Sequence, residues 1–175
     1  YYIRIATTGY RVDDGTLQFH PLYPMVARPF VLAGLDPLMA LSIVSAAAAL
    51  LLTVALHKYL RVRMEPADAQ YGTLCFILGP FAFALLVPYT EALFLFFVVL
   101  CLLCARERLW WLAGISGGLA TLTRQQGLLL ILPLLWLAFE QGRGSEYREV
   151  GDRAVRFSFS TGWLAILGVP LAYVG

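Results

Sequence analysis

Two polar turns set inside apolar sequence constrain this chain more than any other feature. Pro88-Tyr89-Thr90-Glu91 interrupts the apolar run from Tyr71 to Cys104, and Thr123-Arg124-Gln125-Gln126-Gly127 interrupts the run from Leu109 to Phe139. An α-helix rises about 1.5 Å per residue and the hydrocarbon core of a bilayer is about 30 Å thick, so two crossings take about 40 residues. The runs are 34 and 31 residues long, or about 51 and 46 Å of helix. Neither makes two full crossings with its turn in bulk water, so the turns are expected to sit recessed. Irregular backbone at that depth has to line a cavity or be buried in protein. A carboxylate and a guanidinium there cost about 2.5–3.5 kcal/mol each on insertion scales. That cost points to recognition or chemistry at Glu91 and Arg124.

Composition agrees with a membrane setting. The chain is 60% hydrophobic, 14% charged and has a mean hydropathy of +0.74, which points to an integral, all-α, polytopic transmembrane bundle. A net charge of +2 gives no footprint for nucleic acid, and membrane lipids are the expected surroundings. The sequence starts at Tyr1 without an initiator Met and stops at Gly175 within an apolar run, so it reads as part of one longer membrane domain. Cys75, Cys101 and Cys104 lie in apolar helices, where small apolar filler is the expected role.

In chain order, residues 1–30 are expected to form an outer loop with an interfacial amphipathic helix. Tyr2, Ile5, Ala6 and Gly9 share one helical face, and Gly9 suits a helix end. Asp13-Asp14-Gly15 reads as a turn. Phe19-His20-Pro21-Leu22-Tyr23-Pro24 is too rich in proline for a regular helix, and its aromatic residues suit the headgroup level. Membrane helices are expected over 38–56, 71–87, 91–104, 109–122, 127–139 and 157–173, with a polar cytoplasmic loop over 140–156. The two hairpins share a layout without a sequence repeat.

Basic residues orient the bundle. Lys58, Arg61, Arg63, Arg106, Arg108, Arg143, Arg148, Arg153 and Arg156 fall on one side, and Arg4, Arg11, Arg28 and Arg124 on the other. The positive-inside rule assigns the richer side to the cytoplasm. Residues 1–30 and both polar turns then face the periplasm, the exterior or an organelle lumen, and together make one candidate site.

Each polar residue has a plain structural role beside a functional one. Thr90 suits an N-cap, and Glu91 in the first turn complements the helix dipole. Functionally, Glu91 is the candidate catalytic carboxylate, binding sugar hydroxyls or helping to deprotonate an acceptor hydroxyl. Arg124 either caps a helix and snorkels, or joins Thr123, Gln125 and Gln126 at the helix start by Gly127 as an anion site suited to phosphate. Gly127 there allows close backbone approach. His20 has no second His on its side, so no metal site is expected.

The motif order Tyr2-x-x-Ile5-Ala6-x-x-Gly9-Tyr10, Phe19-His20-Pro21-Leu22-Tyr23-Pro24, Pro88-Tyr89-Thr90-Glu91-Ala92-Leu93-Phe94 and Ala120-Thr121-Leu122-Thr123-Arg124-x-x-Gly127 resembles the PIG-V-like mannosyltransferases. These are relatives of the second mannosyltransferase of GPI-anchor synthesis, with many bacterial members. The resemblance covers most of residues 1–139. It implies a GT-C-class membrane fold in the bacterial plasma membrane, or the ER membrane of a eukaryote. It also implies transfer of a sugar from a polyprenyl-phosphate donor to a lipid or glycan acceptor on the outer or luminal face, with no separate cofactor. The family's Trp-Asp pair, which carries its expected catalytic carboxylate, would precede Tyr1; without it this stretch alone is expected to be inactive.

On that reading the donor phosphate sits at Arg124, Gln125 and Gln126, and Glu91, Thr90 and Tyr89 orient hydroxyls. His20 and Tyr23 line the opening. A transporter or flippase using the same recessed turns for binding is the alternative.

Overall fold

The structure is a computed structural model that describes residues 1–9 and 20–146, with side chains to residue 141. Among the described residues its regular elements are all helices and no strand is present, an all-α fold. Seven α-helices follow in order: α1 (Tyr2–Thr8), α2 (Leu22–Leu32), α3 (Pro37–Arg61), α4 (Pro66–Ile77), α5 (Glu91–Arg106), α6 (Trp110–Thr123) and α7 (Ile131–Glu146). Two 3-10 helices, Ala82–Leu85 and Gln125–Leu130, precede α5 and α7. The expected helix over 157–173, residues 147–156 of the expected loop and the Asp13-Asp14 turn lie outside the described residues; the start of that loop, 140–146, is helical and continues α7 to Glu146.

The central helix is α3. Asp36 caps its start by accepting from the N–H groups of Leu38 at 3.0 Å and Met39 at 3.2 Å, and Pro37 at the first position has no N–H to leave unpaired. Lys58 and Arg61 occupy its last turn, where cations offset the negative helix end. Its buried residues Ala40, Val44, Ala48, Leu52 and Ala55 recur every four or three positions, the spacing of one helical face. With Tyr23, Ala27, Leu85, Ala92 and Leu93, the residues Ala40, Val44, Ala48 and Leu52 build one half of the core. Among the described residues α3 is the one helix long and apolar enough to cross a membrane by length and composition.

The second half of the core lies between α5, α6 and α7 and is centred on Cys101, Ala105, Ala113, Ala120 and Leu134. The buried face of α6 carries Ala113, Gly114, Ser116, Gly117, Gly118, Ala120 and Thr121. Small residues let neighbouring helices approach closely.

Three local expectations change. The stretch around Pro21 and Pro24 is helical: α2 begins at Leu22, directly after Pro21. Pro24 falls in its first turn, where an N–H has no intrahelical acceptor in any case. The expected span over 71–87 is divided, because α4 ends at Ile77 ahead of Gly79 and Pro80 and a 3-10 turn follows. Proline disfavours helical backbone in the residue before it. The segment expected to start a helix at Gly127 begins instead as 3-10 at Gln125 and becomes α-helical at Ile131.

The 16 residues of α5 set the distance between two polar ends. Glu91 opens the helix and Arg106 closes it, about 22 Å apart along the axis. At the Arg106 end, Arg106 Nη2 donates to the Tyr59 hydroxyl at 3.0 Å with its guanidinium 4.8 Å from the ring centre. Gln141 Nε2 donates to the Ala105 carbonyl at 2.9 Å. The Glu91 end holds the second polar turn.

Candidate functional site

Arg124 ends α6. Its N–H bonds the Ala120 carbonyl at 2.9 Å, and its backbone is extended at φ −154°, ψ 142°. That break in helical geometry turns the side chain toward the start of α5. There Nη1 donates to Glu91 Oε1 at 2.8 Å, with side chains 30% and 29% exposed. A charge-assisted bond of this length is among the stronger polar contacts available to a protein. The Arg124 guanidinium lies 5.7 Å from the Tyr89 ring centre and 6.0 Å from that of Phe94, at the outer reach of cation–π attraction.

The second carboxylate oxygen, Glu91 Oε2, is buried and has no hydrogen-bond partner among the described residues. A buried acceptor left unmatched costs about 1–3 kcal/mol, more for a charged group. The Glu91 carboxylate is therefore held by one oxygen only.

An aromatic bracket supports this pair. The Tyr2 ring meets Tyr23 edge-on at 5.3 Å and Tyr89 edge-on at 5.7 Å between centroids. The Tyr23 hydroxyl donates to the Leu41 carbonyl at 3.0 Å and lies 2.8 Å from Ser45 Oγ. Ser45 Oγ in turn donates to the Tyr89 carbonyl at 3.2 Å. Helices α1, α2 and α3 are thus tied to the turn that carries Glu91. Burial pushes the Tyr23 phenol up to about 12, so it stays protonated as a donor. Burial also raises the Tyr2 phenol, and a hydrogen bond with Thr90 opposes that shift.

The expected site residues divide into those gathered here and those left outside. Glu91, Arg124 and Tyr89 meet directly. Thr90 is buried beside them but does not cap α5: its backbone is helical at φ −79°, ψ −10° and its side chain makes no capping bond. Tyr23 is fully buried and does not line an opening, because its hydroxyl finds partners on α3. His20, just ahead of α2, is close enough to feel Arg124; burial first, and that positive charge second, push its imidazole below the ordinary value. Gln125 and Gln126 are exposed and bond neither Glu91 nor Arg124.

Gly127 serves a different contact from the one its sequence position suggests. A Cβ there would stand 2.4 Å from Thr121 N and 2.7 Å from Ala120 C. The missing side chain makes room for the backbone of α6 rather than for a ligand. The Gly127 N–H is also taken, bonding the Arg124 carbonyl at 2.9 Å.

Sequence reasoning passed over Tyr2, Ser45 and Phe94 as site residues. Ser45 carried a faint signal as a polar residue within an apolar helix; Tyr2 and Phe94 stood in the quoted motifs without being given a role at the site. Among the described residues no three His, Cys, Asp or Glu side chains gather as a metal site would need. In comparisons with known proteins, no family model, curated protein or solved structure matches the chain.

Proposed function

We propose that this chain is part of an integral-membrane glycosyltransferase of the GT-C type, a mannosyltransferase by its resemblance to PIG-V-like proteins. It would move a sugar from a polyprenyl-phosphate donor to a lipid or glycan acceptor on the outer or luminal face. The observation that carries the reading is the Glu91–Arg124 pair at 2.8 Å. An anion-binding fork and a hydroxyl-binding carboxylate stand together at one end of a short apolar hairpin. In this reading the Arg124 guanidinium receives the donor phosphate, Glu91 accepts hydrogen bonds from sugar or acceptor hydroxyls, and Tyr89 offers a ring face beside them.

The membrane setting of this proposal draws support from the surface. Leu50, Phe81, Trp111 and Trp136 are 71%, 80%, 66% and 68% exposed. Large apolar side chains spread over several elements in this way suit lipid better than water. Helices α5 and α6, at 16 and 14 residues, come to about 24 and 21 Å, which suits turns recessed below a membrane surface.

The test is radiolabelled sugar transfer from a polyprenyl-phosphate donor, using full-length protein in membranes and its Arg124→Lys variant. Guanidinium and ammonium share a charge, but only the guanidinium offers a planar fork to phosphate. Transfer by the wild type, with a raised donor KM in Arg124→Lys, is expected. A full-length protein that folds but transfers no sugar, and instead moves a lipid or solute across the membrane, would make it a transporter.

A further inference from the structure

We infer that the Glu91–Arg124 pair is an exchangeable latch: a phosphate ester binding at Arg124 displaces Glu91 and frees its carboxylate beside the bound phosphate. This rests on the proposed phosphate role of Arg124 and adds a role for its partner. Two observations lead to it. Arg124 is already committed, through Nη1, to Glu91 Oε1 at 2.8 Å, so an arriving anion meets a guanidinium whose charge a carboxylate largely offsets. And Glu91 Oε2 is buried with no partner among the described residues, so the closed pair satisfies only one of the two carboxylate oxygens there.

Those facts make exchange favourable. Opening the pair gives up one hydrogen bond and lets both carboxylate oxygens find donors. A phosphate brings more negative charge and a geometry matched to the guanidinium fork. Glu91 keeps part of its compensation after release, because it opens α5 and the positive end of a helix favours an acid in the first turn. The freed carboxylate then lies next to the phosphate it gave way to, where a sugar or acceptor hydroxyl can donate to it. Glu91 thus competes with the phosphate in the resting protein and serves the substrate only once the phosphate has arrived.

Competition has a sign that cooperation lacks. Full-length protein in dodecyl maltoside micelles, which hold no phosphate, is titrated with farnesyl phosphate by calorimetry. Inorganic phosphate forms a second series. Glu91→Gln removes the competing charge and is expected to bind farnesyl phosphate at least about tenfold tighter than wild type. Arg124→Gln is expected to lose binding, and Arg124→Lys, with its melting temperature as a fold control, to weaken it. Tightening with both probes assigns the site to the phosphate group itself. Tightening with farnesyl phosphate alone adds a requirement for the lipid chain. Either supports the latch. Equal or weaker binding of both probes by Glu91→Gln overturns it. Sugar transfer is measured separately: tightening without transfer retires the glycosyltransferase reading and leaves the latch, and transfer without tightening does the reverse.

Discussion

Arg124 Nη1 donates to Glu91 Oε1 at 2.8 Å and joins two turns 33 residues apart in the chain. The two partners are not equally dependent on each other. Glu91 has one oxygen in this bond and the other unmatched among the described residues, whereas Arg124 also faces the Tyr89 and Phe94 rings. Arg124→Gln is therefore expected to cost about 2–3 kcal/mol, because it strands a part-buried carboxylate. Glu91→Gln is expected to cost about 1 kcal/mol or less. The double variant should recover part of the loss, with a coupling of about 1 kcal/mol. Unfolding of the four proteins in mixed detergent and SDS checks this; equal single costs with no coupling would mean the bond does not hold the turns together.

Gly127 joins the second turn to α6 by leaving out a side chain. The atoms a Cβ would meet, Thr121 N at 2.4 Å, Thr121 Cα at 2.6 Å and Ala120 C at 2.7 Å, are all backbone and cannot rotate away. Gly127→Ala is expected to cost about 3 kcal/mol through forced displacement. Gly34 provides the contrast: its φ is +95° but nothing lies within 4 Å of a Cβ there. Gly34→Ala should cost about 1–2 kcal/mol, from left-handed backbone alone. The two melting temperatures in detergent should separate in that order.

The sequence exposed its polar turns because charge inside apolar sequence is conspicuous at any distance. Their pairing was less visible. Nothing in the spacing of Glu91 and Arg124 marks them as partners; only their opposite charges on the same side of a short hairpin hint at it. Tyr23 shows a second limit. A phenol suits a membrane interface and a buried hydrogen-bonded niche equally, and only the α3 partners Leu41 and Ser45 choose between them. The division after Ile77 was written in Gly79 and Pro80, but continuous apolarity from Tyr71 to Val87 spoke for one helix. Gly127 pointed to a close approach but to the wrong partner, the backbone of α6 in place of a phosphate, since a ligand and a neighbouring backbone leave the same sequence mark. Asp36-Pro37 and the apolar stretch after it marked the central helix more directly.

Tyr23 ties α2 to α3 and, through Ser45, to the Tyr89 turn. Tyr23→Phe keeps the ring against Tyr2 and removes the hydroxyl. It is expected to cost about 1 kcal/mol, the net worth of a typical hydrogen bond, because Ser45 keeps the Tyr89 carbonyl as a partner. Tyr23→Ala empties a fully buried volume and should cost about 3–5 kcal/mol. Chemical denaturation of both variants tests the split; equal losses would mean that the hydroxyl, and not the ring, holds the bracket.

His20 gives the site a dependence on pH whose direction is fixed. Burial first, and the Arg124 charge second, push its imidazole below the ordinary 6.5. Between that lowered value and 6.5 the unfolded chain binds more protons than the folded one, so stability falls as pH drops through this window. Above 6.5 both states hold a neutral ring and His20 adds no slope. Wild type is expected to lose melting temperature between pH 7.5 and pH 5.5, with a smaller loss in His20→Gln. Because His20 is partly exposed, solvent and salt reduce the effect. NMR titration of the imidazole separates the two causes. Its midpoint should lie below 6.5 in wild type and rise only part of the way in Arg124→Gln, since burial is the larger cause and remains. A midpoint that does not move in Arg124→Gln would place His20 beyond the reach of that charge and outside the cluster around Glu91.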